Sequence, residues 1–279
     1  MIKILLAGTP EFAVDIFEQI IINYNVVAIV SQPDRPSVRG RISLQTPTKL
    51  LAQKYNIPCF QPEKIGEIYN ELKQLEYDYL ITAAFGQFIP TKILSIAKKY
   101  NLNIHGSLLP KFRGAAPIQY AVWEGESQTG ISLMEMVKEM DAGDVFVQSV
   151  VKIDENDTSA DVFKKCSNVA SENIVEWIRD IDQNKLQKKP QDISKVSFSP
   201  KLNKSDGEIK TSMSVQKALQ TIKAFYPNPC AFAHIDSKRV KINFATSNPV
   251  KNAPTVQLSD GTIYLVDYHF EGKKRVKLK

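Results

Sequence analysis

Cysteine is scarce and scattered: the 279 residues contain only Cys59, Cys166 and Cys230. Separations of this size offer neither a disulfide framework nor a paired-cysteine metal site, so a reducing cytoplasm is expected and no metal. No run of about 18 apolar residues occurs, which removes any candidate for a spanning helix. The opening Met1-Ile2-Lys3-Ile4-Leu5-Leu6-Ala7-Gly8 lacks the basic stretch and cleavage site of an export signal and reads as a strand. The dinucleotide fingerprint Gly-x-Gly-x-x-Gly is missing too. The first glycine turn runs Ala7-Gly8-Thr9-Pro10-Glu11-Phe12-Ala13, with Pro and Ala where the later glycines belong. The second strand runs into Ser31-Gln32, without the acidic residue that would hold a ribose, which disfavours a nucleotide-dependent dehydrogenase.

What is present describes a globular chain, 43% apolar and 24% charged, too long for one ordinary core. The net charge of +6 is uneven. Residues 200–279 carry fourteen basic and six acidic side chains, a balance of +8, against 22 basic and 24 acidic in the remainder. A basic tail on a slightly acidic body fits a polyanionic partner that touches mainly the tail.

Short apolar runs at residues 2–7 and 26–31 flank an amphipathic stretch at 11–23, the strand–helix–strand rhythm of a parallel sheet. The rhythm continues with helices expected at 47–55 and 65–75 and strands at 57–60, 79–84 and 101–105. A helix at 115–123, strands at 130–136 and 145–153, and a long helix at 159–181 follow. The polar segment 184–205, broken by Pro190 and Pro200, reads as a linker. Beyond it come a helix at 214–224 and short strands at 231–235, 239–244, 255–258 and 262–266, with turn signals at Asp236-Ser237 and Asp260-Gly261. The expected organisation is a catalytic domain over 1–186, a linker over 187–205 and a small β-barrel over 206–279.

Three segments carry candidate chemistry. In Asn101-Leu102-Asn103-Ile104-His105-Gly106-Ser107 the period of a strand puts Asn103 and His105 on one face and Leu102 and Ile104 on the other. A carboxamide and an imidazole side by side can stabilise a developing oxyanion and handle a proton near neutral pH. In the loop Glu139-Met140-Asp141-Ala142-Gly143-Asp144 either Asp141 or Asp144 can simply fix the turn or can supply a carboxylate to orient His105. The loop Gln32-Pro33-Asp34-Arg35-Pro36-Ser37-Val38-Arg39-Gly40-Arg41 is long and rich in guanidinium groups, which suit phosphates and base edges.

Taken together, Ala7-Gly8-Thr9-Pro10-Glu11-Phe12-Ala13, the arginine-rich loop, and His105-Gly106-Ser107-Leu108-Leu109-Pro110 through Arg113-Gly114-Ala115-Ala116-Pro117-Ile118-Gln119 resemble the methionyl-tRNA formyltransferase family. The resemblance implies an α/β fold: a Rossmann-like formyltransferase domain with a largely parallel sheet, joined to a C-terminal OB-like β-barrel. It implies 10-formyltetrahydrofolate as formyl donor and the α-amino group of initiator methionyl-tRNA as acceptor, on a chain expected to act as a monomer away from membranes. By motif, the catalytic positions are Asn103, His105 and Asp141. Folate contacts fall on Ser107, Leu108, Leu109 and Pro110, and on Phe85, Gly86 and Gln87. Contacts to tRNA fall on Arg39 and Arg41 and on the basic run Lys273, Lys274 and Arg275. A sugar N-formyltransferase is the alternative, since it would use the same donor and the same three catalytic side chains; the arginine loop and the basic tail weigh against it. The C-terminal region lacks two tryptophans that relatives tend to have near Lys210 and Asn228.

Overall fold

The computed structural model describes residues 2–36 and 43–278. They form two compact units. One draws on the described residues of Met1–Ala115, with Gly130–Val151 and Lys164–Phe198; the other on Ala116–Thr129, Lys152–Phe163 and the described residues of Ser199–Lys279.

The first unit is organised by a seven-stranded sheet. Its strands are β1 (Lys3–Gly8), β2 (Asn25–Val30), β3 (Cys59–Phe60), β4 (Tyr79–Ala83), β5 (Tyr100–His105), β6 (Gln128–Glu135) and β7 (Val145–Lys152), in the order β7-β6-β5-β4-β1-β2-β3. Neighbours from β3 through β5 run parallel, and β6 returns antiparallel to β5. The order turns back at β1, with β2 and β3 on one side of it and β4 and β5 on the other, as in doubly wound α/β folds. Strand β1 reads as an uninterrupted apolar run because both of its faces are covered, and Ile4, Leu5, Leu6 and Ala7 are fully buried. One face packs on Ile65, Leu72, Tyr77 and Ile93. Helix Phe12–Asn23 buries Phe12, Ala13, Ile16, Phe17 and Ile20 in the i, i+4 pattern of a single stripe.

Element ends follow local chemistry. Thr46 caps the helix Pro47–Lys54 by accepting from Lys49 N, with Pro47 in the first turn, where the missing N–H costs nothing. The helix expected at 115–123 begins at Pro117 for the same reason. The expected helix at 65–75 is a 3-10 turn, Ile65–Ile68, followed by a short α-helix, Tyr69–Gln74.

In the second unit a five-stranded antiparallel sheet replaces the parallel pattern, matching the expected OB-like class. Strands Ala231–Ile235, Lys238–Thr246, Thr262–Phe270 and Thr255–Gln257 are adjacent in that order, and Val276–Lys277 pairs with Thr262–Phe270. The turn Asp236-Ser237 has both φ angles positive, 49° and 62°, the hairpin geometry that matches strand twist. Helix Val215–Phe225 buries Ala218, Ile222 and Phe225 and packs on helix Pro117–Trp123. Trp123 anchors that packing. Its Nε1–H donates to Thr221 Oγ1 at 2.9 Å, its ring meets Phe225 edge to face, and Lys217 Nζ donates to its carbonyl at 2.9 Å.

Candidate active site

Open α/β sheets present ligands at the carboxyl ends of the strands where the order reverses. Here those ends belong to β1 and β4, and side chains knit them together. Thr9 Oγ1 donates to Phe85 O at 3.1 Å, and Gln32 Nε2, just beyond β2, donates to the same carbonyl at 3.0 Å. The chain leaves β4 through Gly86, at φ 77°, where a Cβ would lie 2.5 Å from Gln32 Nε2. Only glycine fits that turn without strain.

Next along the sheet, β5 presents Asn103 and His105. The alternation holds: Leu102 and Ile104 are buried in the core on the opposite face. Thr82 stands opposite Asn103 on β4 and donates its hydroxyl hydrogen to Asn103 Oδ1 at 2.8 Å. The carboxamide oxygen is therefore occupied, and the NH2 end is the one left for a ligand. His105 is buried, and its Nε2 lies 2.9 Å from Phe112 O. A carbonyl only accepts, so Nε2 carries a hydrogen and Nδ1 is the nitrogen that remains for chemistry. Asp141 Oδ2 stands 3.7 Å from that Nδ1. This exceeds hydrogen-bond length, so the two can share a third group between them. The same Oδ2 accepts from Gly114 N at 2.8 Å, and Asp141 itself sits at φ 51°, a left-handed conformation held by its surroundings. His105 and Asp141 thus stand side by side, with Asn103 two residues from His105 on the same strand.

The segment carrying Ser107, Leu108, Leu109 and Pro110 is tied to the sheet from behind. Ser132, opposite His105 on β6, donates to Ser107 O at 2.6 Å and accepts from Leu109 N at 3.1 Å and from Gln148 Nε2 at 2.8 Å. Gln148 Nε2 also donates to Leu109 O at 2.9 Å. Ser107 Oγ turns back to Lys111 O at 2.6 Å. On the other side of the strand ends, Phe85 is buried, while Gln87 braces the next loop by accepting from Ile65 N and donating to Pro62 O. Gln87 also lines a cleft of about 590 Å³ with Lys64, Glu67, Phe88 and Lys92.

The residues expected to touch tRNA divide. Arg39 and Arg41 lie outside the described residues. Ahead of them in sequence, Asp34 takes hydrogen bonds from Gln61 and Lys49 that hold its carboxyl below the usual carboxylate range. In the second unit Lys273 and Lys274 are exposed. Arg275 is instead engaged, donating from Nε and Nη2 to both oxygens of the buried Asp267 at 2.6 Å. Among the described residues no cluster of three His, Cys, Asp or Glu side chains could hold a metal ion.

Sequence reasoning passed over Thr82, Ser132, Gln148 and Gln191, the residues that orient the site from behind. Thr82 and Ser132 carried a signal, a small hydroxyl set directly between apolar neighbours, Ile81 and Ala83 in one strand and Ile131 and Leu133 in the other. Gln191 carried none.

Residues 2–178 match the model of the formyl transferase domain family, and residues 201–279 match that of the formyl transferase C-terminal domain. Over 277 residues the chain is 50% identical to the methionyl-tRNA formyltransferase of Mycoplasmopsis pulmonis (strain UAB CTIP), an alignment that covers 99% of this chain and 96% of the other. The chain belongs to the methionyl-tRNA formyltransferase family. Solved structures extend the likeness at the level of fold. The N-formyltransferase from Helicobacter canadensis, in complex with folinic acid and dTDP-3-aminofucose, superposes with a TM-score of 0.72 at 21% identity, covering 95% of this chain and 99% of that one. HypX from Aquifex aeolicus, in complex with tetrahydrofolic acid, gives 0.69 at 16% identity over 100% of this chain, which spans 46% of that protein. Within a formyltransferase family the amide, imidazole and carboxylate at the strand ends are the natural place to look for formyl transfer.

Proposed function

We propose that this enzyme transfers the formyl group of 10-formyltetrahydrofolate to the α-amino group of methionine on initiator methionyl-tRNA, giving N-formylmethionyl-tRNA for translation initiation. What carries the reading is the pairing of His105 with Asp141 at 3.7 Å, with Asn103 two residues along the same strand and Thr82 holding its oxygen so that the NH2 end can donate. The 50% identity to a methionyl-tRNA formyltransferase over nearly the whole length supports a tRNA-borne amine over a sugar amine.

The residues present suit a pterin donor: a buried aromatic at Phe85, a tight turn at Gly86, and the braced backbone of residues 107–110 supply apolar wall and peptide groups. In this reading Asn103 Nδ2 donates to the oxygen that gains charge as the neutral amine adds to the formyl carbon. His105, carrying hydrogens on both nitrogens, donates from Nδ1 to the same oxygen. Asp141, with a water between, relays the proton lost by the amine to N10 of the departing tetrahydrofolate. One C–N bond forms, one breaks, and one proton moves between the two nitrogens. No residue of the chain becomes acylated. Arg39, Arg41, Lys273 and Lys274 hold phosphates of the acceptor RNA, in a chain acting in the cytoplasm as a monomer.

Incubation of the full chain with formyl-labelled 10-formyltetrahydrofolate and methionyl initiator tRNA, followed by alkaline release of the amino acid, tests the proposal. Label recovered as N-formylmethionine is the expected result. Label transferred to an amino sugar nucleotide, and not to methionyl-tRNA, would overturn it.

A further inference from the structure

The polar segment that reads as a linker returns to the first unit and enters the site's supporting shell. Lys189 pairs with Val145 through two backbone hydrogen bonds of 2.9 Å, an antiparallel bridge at the start of β7. Two residues on along an antiparallel partner, Gln191 comes to stand against the turn that precedes Val145, the turn holding Asp141 and Gly143. All four hydrogen-bonding directions used by its carboxamide then fall on the two loops that build the site. Nε2 donates to Asp141 O at 2.8 Å and to Gly143 O at 2.7 Å. Oε1 accepts from Arg113 Nε at 3.1 Å and from Arg113 Nη2 at 2.9 Å. The orientation of the amide is fixed by its partners, since a guanidinium only donates and carbonyls only accept.

These loops need a clamp. Asp141 occupies a left-handed conformation that a residue with a side chain adopts at a cost, and Gly143 runs so close to β6 that a Cβ would lie 1.9 Å from Glu135 O. Gly114, next to Arg113, is also the backbone donor that fixes Asp141 Oδ2. Gln191 therefore holds the backbone of the carboxylate on one side and the loop that orients its side chain on the other.

We propose that Gln191 is a positioning residue of the formyl transfer, acting through Asp141 by clamping residues 141–143 to Arg113. The inference rests on the catalytic reading of Asp141 given above. Gln191→Glu keeps an acceptor for Arg113 and replaces the donor to both carbonyls by an oxygen that repels them. Gln191→Asn keeps the amide and loses its reach. Each full-length variant should keep a melting temperature within a few degrees of the parent. Each should lower kcat by about 10- to 100-fold, the effect of a displacement of about an ångström at a reacting group, with KM for donor and acceptor changed less than about threefold. In an Asp141→Asn background, adding Gln191→Glu should change the rate by less than about twofold, because the group it positions is already gone.

Parental kcat in a folded Gln191→Glu variant overturns the proposal, as does an undiminished loss in the Asp141→Asn background. Failure of both single variants to fold would make Gln191 an architectural residue and overturn it as well. A parental rate in Asp141→Asn alone would instead remove the catalytic reading of Asp141, and is seen without reference to Gln191.

Discussion

Thr82 and Asn103 stand directly opposite one another on adjacent parallel strands, and the Thr82 hydroxyl holds the Asn103 carboxamide by its oxygen at 2.8 Å. With the oxygen held, the NH2 end faces outward. Without it the group can rotate and present oxygen to a developing oxyanion. Thr82→Val should therefore slow single-turnover formyl transfer by about three- to tenfold, the worth of one ordinary hydrogen bond, and Thr82→Ser should restore the rate. Asn103→Ala and His105→Ala should each cost roughly a hundredfold or more with donor affinity kept, as expected for an oxyanion donor. Near-parental single-turnover rates in both would remove the assignment.

Ser132 bears on donor binding. Its hydroxyl serves Ser107 O, Leu109 N and Gln148 Nε2 at once. Ser132→Ala leaves buried backbone groups unpaired and should lower stability by about 1–3 kcal/mol in urea titrations. The KM for the formyl donor should rise in the same variant. A destabilised chain with an unchanged donor KM would separate residues 107–110 from donor binding.

Asp267 gives the second unit an acid-sensitive element. Burial disfavours its charge, but hydrogen bonds from Arg275 and Asn243 outweigh this and hold the carboxyl below the usual carboxylate range. The unfolded chain then binds the proton more readily than the folded one. The stabilisation is complete above the unfolded value of about 4 and is lost as pH falls through the lower folded value. Asp267→Asn should accordingly melt below the parent at pH 7, with the gap closing progressively below about pH 4. A gap that widens with acid would refute the sign.

The basic run at the C-terminal end should divide its labour. Lys273→Ala and Lys274→Ala should weaken binding of the initiator tRNA and flatten its dependence on salt, by about one unit of log–log slope for each phosphate left without its cation. Arg275→Ala should chiefly lower the melting temperature, because Arg275 is engaged with Asp267. Arg39→Ala should raise KM for the aminoacylated tRNA and leave donor affinity unchanged. Equal losses for both substrates would show that its loop shapes the reaction centre instead.

Asn103 and His105 were readable because strand alternation is a local property: a single apolar partner on either side is enough to assign the face. Asp141 was singled out from Asp144 only through family resemblance. As a residue in a tight loop it had the same local credentials as Asp144, and what distinguishes it is the Gly114 N–H, 27 residues away. The supporting residues lie farther out of reach of local rules. Gln191 meets Asp141 across 50 residues and Arg113 across 78, from a segment whose polarity and prolines resemble those of any solvated connection. Its role follows from the Lys189–Val145 bridge, and nothing in the pattern of residues 184–205 announces that pairing. Element types were legible for the same reason the shared face of Asn103 and His105 was. Their ends were set by capping and register, as at Pro117 and at strands Lys238–Thr246 and Thr262–Phe270, which extend past the residues that alternation alone marks.

The packing of Trp123 against helix Val215–Phe225 limits how this chain can be cut or recombined. Residues 116–129 leave the first unit immediately after the loop that carries Arg113 and Gly114, and their apolar surface is completed by a helix encoded some ninety positions later. A chain ended near residue 200 would strand the indole and its neighbours in water and should aggregate. A chimera that imports the C-terminal eighty residues of a relative must import the matching surface of helix Pro117–Trp123 with them. The tail is therefore not an interchangeable cartridge, and its sequence can drift only in step with that short internal helix.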